Sequence, residues 1–370
     1  MKAGIYDPYL DTLGGGERYT LTLAEILSKN GHSVDVFWSK DPDILNRAQQ
    51  RFSLRLDSVK LVPDCFYSNP ISPPSLFRQV RDFIHRFSVT KNYDFFFFVS
   101  DGSLPFLFSR QNLLHFQVPF TPHHSFPQTF LNRLKSRTIH QVVVNSQFTQ
   151  RFIQSSYPLK STVLYPPVDI EQFSVSPDKK DIILAVGRFD NILNTKRQDA
   201  LIEAFARLSP TQPKWRLVLA GGSQQNPADN QYLKHLQYLA RNLPVDFMIN
   251  PSFTTLAQVY SETKIFWHAA GYQVDAAIHP EATEHFGMTT VEAMASGLVP
   301  LVPKNGGLPE IITSGVNGFL WEDLDTLIAK TQLLIGSPST LRDLSRQAQL
   351  SSHQFSKSIF ETSFLQIISS

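Results

Sequence analysis

HPEATEHFGMTTVEAMASGLVPLVPKNGGLPEIITSGVNGFLW, residues His279 to Trp321, is the stretch from which the fold of the whole chain is read. It predicts a loop, a helix, a buried strand, a Gly-rich turn, a short helix and another strand. Thr289 to Ser296 has helical composition, and Gly297 is a C-terminal stop. Leu298 to Val302 is a short apolar run between Gly297 and Pro303, the pattern of a parallel strand covered on both faces. Asn305-Gly306-Gly307 predicts a turn whose bare backbone lets a ligand come close, and Pro309-Glu310 opens a further short helix.

Two carboxylates, Glu284 and Glu292, bracket the start of the first helix. Between them lie Phe286, Gly287, Met288 and Thr289, whose amides can point at an anion from a helix N-terminus. A phosphate held there has a carboxylate on either side to take the hydroxyls of attached sugars, which is what a nucleotide-sugar site requires. Thr289-Thr290-Val291-Glu292 is also a capping box, in which Glu292 only bonds the backbone amide of the cap residue, and local sequence leaves both readings open. A glycosidase pair fits poorly. Retaining hydrolysis needs carboxyl groups roughly 5 Å apart, whereas eight positions of helix separate Cα atoms by about 12 Å.

Glu284 and Glu292 with seven residues between them, then Ala293-Met294-Ala295-Ser296-Gly297 and Gly306-Gly307-Leu308-Pro309-Glu310, resemble the signature of the retaining GT-B glycosyltransferases of the family 4 type, the glycosyl transferases group 1. The resemblance implies an α/β protein of two Rossmann-like domains facing a cleft, with a C-terminal helix returning to the first domain. It places Glu284 beside the transferred sugar and Glu292 on the ribose hydroxyls.

Composition agrees with such a protein. The chain has 370 residues, enough for two ordinary domains, with 42% hydrophobic and 18% charged residues. A formal net charge of +2 gives no bulk electrostatic case for nucleic acid. The single Cys65 rules out an intrachain disulfide and a cysteine-based zinc site. With no leader-like apolar region and no apolar run of transmembrane length, the expectation is a cytoplasmic protein, soluble or peripheral at the inner face of the membrane.

Taken from its start, the chain opens on a strand at Ala3 to Tyr6, then the turn Leu13-Gly14-Gly15-Gly16-Glu17-Arg18. A helix follows with Tyr19, Leu23, Ile26 and Leu27 on one face, and then a strand from Val34 to Trp38. This is a Rossmann-like unit, although the turn lacks the G-x-G-x-x-G spacing of a dinucleotide fingerprint. In the resembled family this loop faces the donor phosphate and acceptor, a role that falls here on Gly15 and Gly16. Asp41-Pro42-Asp43 matches a D-x-D metal motif in letters only: Asp-Pro in a polar loop is turn chemistry, and the resembled family needs no metal. No metal or cofactor is expected beyond the nucleotide-sugar donor as substrate.

Residues 75–91, SLFRQVRDFIHRFSVTK, form an amphipathic basic helix suited to packing on a sheet or to peripheral membrane contact. Arg133 to Arg137 adds basic surface. Tyr93 to Val99 is an aromatic run of a central strand, and Asn112 to Phe116 is the next, with His115 near its end. HFQVPF resembles the family's HxP-type segment bordering the sugar site, which marks His115 as a catalytic candidate. His123 and His124 suit a surface or acceptor-side loop. Gln141 to Val144 is a further strand, Asn145-Ser146-Gln147-Phe148 resembles the family's NS-x-F segment, and Pro166-Pro167-Val168-Asp169 its interdomain linker.

After the linker come strand Asp181 to Val186, Gly187-Arg188-Phe189, and Lys196 in a polar loop, with a helix from Ala200 to Leu208. The resemblance gives Arg188 and Lys196 the donor diphosphate, where a guanidinium fork and a point charge neutralise the leaving group. Trp215 to Ala220 and Lys264 to His268 are further strands, the latter ending beside the base or ribose, and Asp275 and His279 follow in a loop. Phe355 to Ile368 resembles the terminal helix. The expected organisation is an N-terminal acceptor domain, residues 1–170 completed by 354–370, and a donor domain, residues 171–353. The expected function is retaining transfer of a mannose- or glucose-type sugar from a nucleoside diphosphate to an acceptor hydroxyl of a glycan or lipid-linked glycan. A nucleotide-sugar epimerase and a non-catalytic nucleotide-sugar-binding protein are the alternatives.

Overall fold

Two all-parallel sheets organise the computed structural model, which describes every residue except 67–75, 122–125, 191–195, 224–225 and 370. His123 and His124 therefore lie outside the described residues, as does the beginning of the 75–91 segment. Cα packing divides the chain into Met1–Pro166 with Glu361–Ser370, and Pro167–Phe360.

In the first unit the strands are β1 (Lys2–Tyr6), β2 (Ser33–Phe37), β3 (Val59–Val62), β4 (Phe95–Val99), β5 (Gln111–Phe116), β6 (Gln141–Val144) and β7 (Thr162–Val163), with sheet order β3-β2-β1-β4-β5-β6-β7. The helices are α1 (Gly15–Lys29), α2 (Ile44–Phe52), α3 (Leu76–Thr90), α4 (Phe126–Ser136) and α5 (Gln147–Ser156). β4 is the sequence FFFFV with all five residues buried, as a strand covered on both faces requires. Its neighbour β1 carries Gly4 opposite Phe96, and a Cβ there would stand 2.6 Å from the Phe96 ring. The wide ring in one strand thus dictates the bare position in the next.

The second unit has β8 (Lys180–Val186), β9 (Arg216–Gly221), β10 (Val245–Ile249), β11 (Thr263–Trp267), β12 (Val299–Pro303) and β13 (Phe319–Trp321), in the order β10-β9-β8-β11-β12-β13. Its helices are α6 (Gln198–Leu208), α7 (Pro227–Leu239), α8 (Phe253–Glu262), α9 (Met288–Ala295), α10 (Leu308–Ile311), α11 (Leu324–Gly336) and α12 (Pro338–Ser352). Its core joins Phe205, Trp267, Leu301 and Trp321 between sheet and helices. α13 (Lys357–Ser369) begins in this unit, and from Glu361 on it belongs to the first. There Phe364 meets Phe95, and the amides of Gln111 and Gln141 donate to the carbonyls of Ile368 and Ile367 at 3.1 and 2.7 Å. These bonds satisfy carbonyls that the end of a helix leaves without intrahelical partners.

Three local expectations change. α1 begins at Gly15, so Gly15 and Gly16 are its first turn rather than a free loop, and Glu17 accepts from the amide of Gly14 at 2.6 Å. α9 begins one residue earlier than its composition indicates, because Gly287 caps it at φ 114°, a left-handed conformation that favours glycine. Thr289 is then inside the helix and Glu292 is past its first turn, so the predicted capping box does not form. Finally, the Gly306-Gly307 turn is filled by protein: Cβ atoms there would stand 2.2 and 2.3 Å from the carbonyl oxygens of Glu284 and His285. These glycines admit the 284–285 backbone, where a ligand was expected.

Candidate functional site

In a doubly wound sheet the chain leaves the central strand in both directions, and the crevice between the diverging connections takes ligands at the carboxyl ends of the strands. In the second unit that point lies between β8 and β11. β8 delivers Gly187 and Arg188, and β11 delivers His268, whose amide donates to Leu301 at 3.1 Å. The stem of Lys196 lies across Gly187, where a Cβ would be 2.6 Å from its Cγ. Glycine at 187 thus gives Lys196 its path to the strand ends.

Lys196 Nζ donates to Oε2 of Glu284 at 2.6 Å, and Nε2 of His268 stands 3.1 Å from the same oxygen. Burial pushes the Glu284 carboxyl up, and Lys196 and His268 more than reverse this, holding it below the ordinary carboxylate range. Burial likewise lowers His268, against the pull of Glu284, and keeps the ring neutral near pH 7. The result is an ionised carboxylate, a cation and a neutral imidazole at the strand ends.

Glu284 is held from behind. Its carbonyl accepts from Gly307 at 2.8 Å, and Asn305 ties the turn to the carbonyls of Gly271 and Val274 at 2.8 and 3.0 Å. The Phe286 ring is buried against Phe355, so only its backbone belongs to the approach to α9. Gly287, Met288 and Thr289 form the cap and first turn of α9, whose amides are oriented out of the helix start. Glu292, half-buried, accepts from the Tyr260 hydroxyl at 3.2 Å.

Arg188 is about half exposed, with Nε 3.0 Å from Asp190, while its carbonyl accepts from Gln198 at 3.0 Å. The backbone is fixed and the guanidinium is accessible. Asp275 caps its own loop through Ala277, and His279 lies 3.3 Å from Glu281 on the surface.

The first unit holds the remaining sequence candidates. Gly16 must be bare because the Gln117 amide lies over it, 2.0 Å from where a Cβ would stand. His115 is fully buried, stacked at 4.3 Å on Tyr19 of α1, with Nδ1 3.2 Å from the Val143 carbonyl. Burial takes its pKa down to about 3. A neutral ring with no exposed atom cannot touch a sugar in this arrangement, which corrects the expectation of a group at the reacting centre. Asp41 accepts from Arg47 and from the Asp43 amide, and Asp43 from Asn46, so both carboxylates are engaged in the local turn.

Sequence reasoning missed His268 and Gln117. His268 follows β11 at the switch point and Gln117 follows β5, and a place just past a strand end is the only signal either carries.

The family model Glycosyl transferases group 1 matches residues 169–351, and Glycosyltransferase Family 4 matches residues 13–172. The human GDP-Man:Man(3)GlcNAc(2)-PP-Dol alpha-1,2-mannosyltransferase is 30% identical over 246 residues, 60% of this chain and 47% of that protein. An alpha-1,3/1,6-mannosyltransferase of Neurospora crassa is 27% identical over 216 residues, 50% of this chain and 45% of that protein. The chain thus spans about half the length of the curated relatives it matches. Among solved structures, a Rickettsia africae glycosyltransferase superposes with a TM-score of 0.78 at 18% identity, over 99% of this chain and 97% of that one. Anabaena HepE, solved with UDP, gives 0.73 at 20% identity with both chains covered completely. Two family models that between them run from residue 13 to residue 351, over two parallel doubly wound sheets, make this chain a member of the GT-B glycosyltransferases of family 4, the glycosyl transferases group 1.

Proposed function

We propose that this protein is a retaining glycosyltransferase that moves a mannose- or glucose-type sugar from a nucleoside diphosphate to a hydroxyl of a glycan or lipid-linked glycan. The observation that carries the proposal is the Lys196–Glu284–His268 cluster at the β8/β11 switch point, immediately before α9. Residues 171–353 take the donor, and residues 1–170 with 354–370 take the acceptor. Arg188 and Lys196 receive the diphosphate, together with the amides of Phe286, Gly287, Met288 and Thr289. Glu292 holds the ribose and Glu284 faces the transferred sugar. His115 supports α1, whose first turn holds Gly15 and Gly16, through Tyr19.

In this mechanism the acceptor hydroxyl attacks the face from which the diphosphate departs. The phosphate oxygen accepts its proton, and the two cations stabilise the charge left on the diphosphate. Glu284 remains ionised throughout, as its depressed pKa allows. The named activity of the human relative favours GDP-mannose and a lipid-linked acceptor, whereas Anabaena HepE was solved with UDP. The enzyme works at the cytoplasmic face of the membrane, with the basic 75–91 segment as its peripheral contact. Among the described residues no helix is long and apolar enough to cross a bilayer.

A thermal-shift panel of UDP-, GDP- and ADP-sugars identifies the donor, because a bound ligand raises stability by mass action. The stabilising donor, incubated with lipid-linked oligosaccharide, is expected to yield an extended glycan with the donor's anomeric configuration. Sugar isomerisation without an acceptor would instead make the protein an epimerase. Binding without any turnover would make it a receptor for nucleotide sugar.

A further inference from the structure

Helix α3 turns its apolar stripe outward. Val80, Phe83, Ile84 and Phe87 stand at i, i+3, i+4 and i+7 and are 50%, 42%, 59% and 43% exposed, whereas a helix packed on a sheet ordinarily buries that stripe. The inward side carries Arg86, whose guanidinium donates to the Phe66 carbonyl at 3.1 Å, and the buried Thr90. Phe83 and Phe87 rest edge-on against Phe106 and Phe108, which fixes the stripe without covering it.

α4 continues the same surface. Phe130 is 62% exposed and Leu134 37%. The next residue, Lys135, reaches over the Phe106 ring at 5.8 Å. The Phe106 ring thus meets both Phe83 of α3, at 5.3 Å, and Lys135 of α4, so the two helices flank it. Single apolar side chains on a surface are ordinary, but six on two adjacent helices make a patch.

Charge surrounds that patch. Residues 76–168 contain ten Lys and Arg against three Asp, a formal +7 in a chain whose total is +2. Between Asp101 and Asp169 there is no carboxylate side chain at all. Arg81, Lys91, Arg133 and Arg137 are exposed around the apolar residues.

We propose that α3 and α4 together form one docking face for an anionic lipid surface, its six apolar side chains entering the boundary between headgroups and acyl chains while the surrounding cations meet lipid phosphates. The proposal rests on the peripheral-contact reading of 75–91, to which it adds the second helix and a requirement for negative lipid. A nucleic acid would use the cations and leave the apolar stripe unexplained. A second copy of the chain would bring two such positive faces together.

The test is co-sedimentation of the full chain with vesicles of phosphatidylcholine alone or with one third phosphatidylglycerol. Binding is expected to be at least ~10-fold stronger to the anionic vesicles and to weaken in high salt. Ile84→Glu and Phe130→Glu are each expected to reduce it by ~10-fold or more, with unchanged melting curves and unchanged binding of nucleoside diphosphate. Loss in Ile84→Glu with wild-type binding in Phe130→Glu would overturn the two-helix face and leave a single-helix contact standing. Equal binding to both vesicles would overturn the lipid charge requirement, and no sedimentation with either would overturn the membrane reading as well. A dimer seen by light scattering and lost in Ile84→Glu, without vesicle binding, would assign the face to self-association. None of these outcomes bears on the donor site, which the nucleotide titration reads separately.

Discussion

Lys196 Nζ lies 2.6 Å from Oε2 of Glu284, and the two side chains are only 19% and 14% exposed. Removing one partner of such a pair leaves the other charge buried without compensation. Lys196→Met is therefore expected to lower stability by about 3 kcal/mol, the lower end for a buried pair because some solvent reaches this one. Glu284→Gln added to Lys196→Met should recover most of that loss, since the two residues act as a unit. Urea denaturation of both single variants and the double variant measures the coupling. Additive losses would show that the pair contributes nothing as a pair.

Arg188 should behave in the opposite way. Its guanidinium is about half exposed and, among the described residues, pairs with its near neighbour Asp190, so Arg188→Ala should leave stability unchanged within about 0.5 kcal/mol. If it grips the donor diphosphate, the loss appears in binding, about 1.5–3 kcal/mol for a charge-assisted contact. Isothermal titration with the matching nucleoside diphosphate separates the two quantities. Wild-type affinity would remove Arg188 from the site.

Asp7, at the end of β1, gives a pH signature in the first unit. Its carboxyl is fully buried, accepting from Thr20 at 2.7 Å and from the Tyr9 amide at 3.0 Å. Burial, with the nearby charge of Glu17, pushes its pKa up to about 7 from 3.8. Between these values the folded state binds more protons than the unfolded state, so the contribution of Asp7 to stability is greatest below the unfolded value and declines as pH rises to about 7. Asp7→Asn should remove that decline, melting close to wild type at pH 4 and above it at pH 8. Parallel wild-type and variant curves across the range would contradict the assignment.

What was legible in the sequence follows from how local each cause is. FFFFV announces a doubly covered strand because burial on both faces leaves no polar position. The Glu284–Glu292 segment was legible as a helix entry because glycine, threonine and carboxylate chemistry lies within a few residues. The first residue of α9 was not, since the left-handed cap at Gly287 competes with threonine as a start signal and prevails. Gly306 and Gly307 read as ligand-facing because sequence cannot say that the backbone they admit is that of Glu284 and His285. His268 and His115 depend on partners far along the chain: one meets a loop carboxylate, the other is sealed by Tyr19. The stripe of α3 was plain as a stripe, but periodicity does not say which way it points.

Metal dependence is a separate test. Asp41 and Asp43 are occupied by Arg47, Asn46 and the turn amide, and among the described residues no group of three His, Cys, Asp or Glu is placed to hold a cation. With Arg188 and Lys196 proposed at the diphosphate, transfer is expected to persist in excess EDTA at close to the untreated rate. Loss of activity on chelation, restored by Mn²⁺ or Mg²⁺, would return Asp41 and Asp43 to consideration as ligands.

The two glutamates are expected to fail differently. Glu284 is ionised, and its proposed place is against the sugar, where positive charge develops as the glycosidic bond breaks. An interaction that strengthens in the transition state appears in kcat, so Glu284→Gln should mainly lower kcat. Glu292 is proposed to hold the ribose, which changes little between ground state and transition state, so Glu292→Gln should raise the donor KM about 10-fold with kcat nearly intact. The helix start sharpens the comparison. Because Gly287 is the cap and Glu292 lies beyond the first turn, Glu292→Gln removes no capping bond, and its amide oxygen can still accept from Tyr260. Its melting curve should therefore match wild type, where loss of a true cap would cost about 1 kcal/mol. Early melting combined with wild-type nucleotide binding would make Glu292 a structural residue and leave the ribose without its proposed partner.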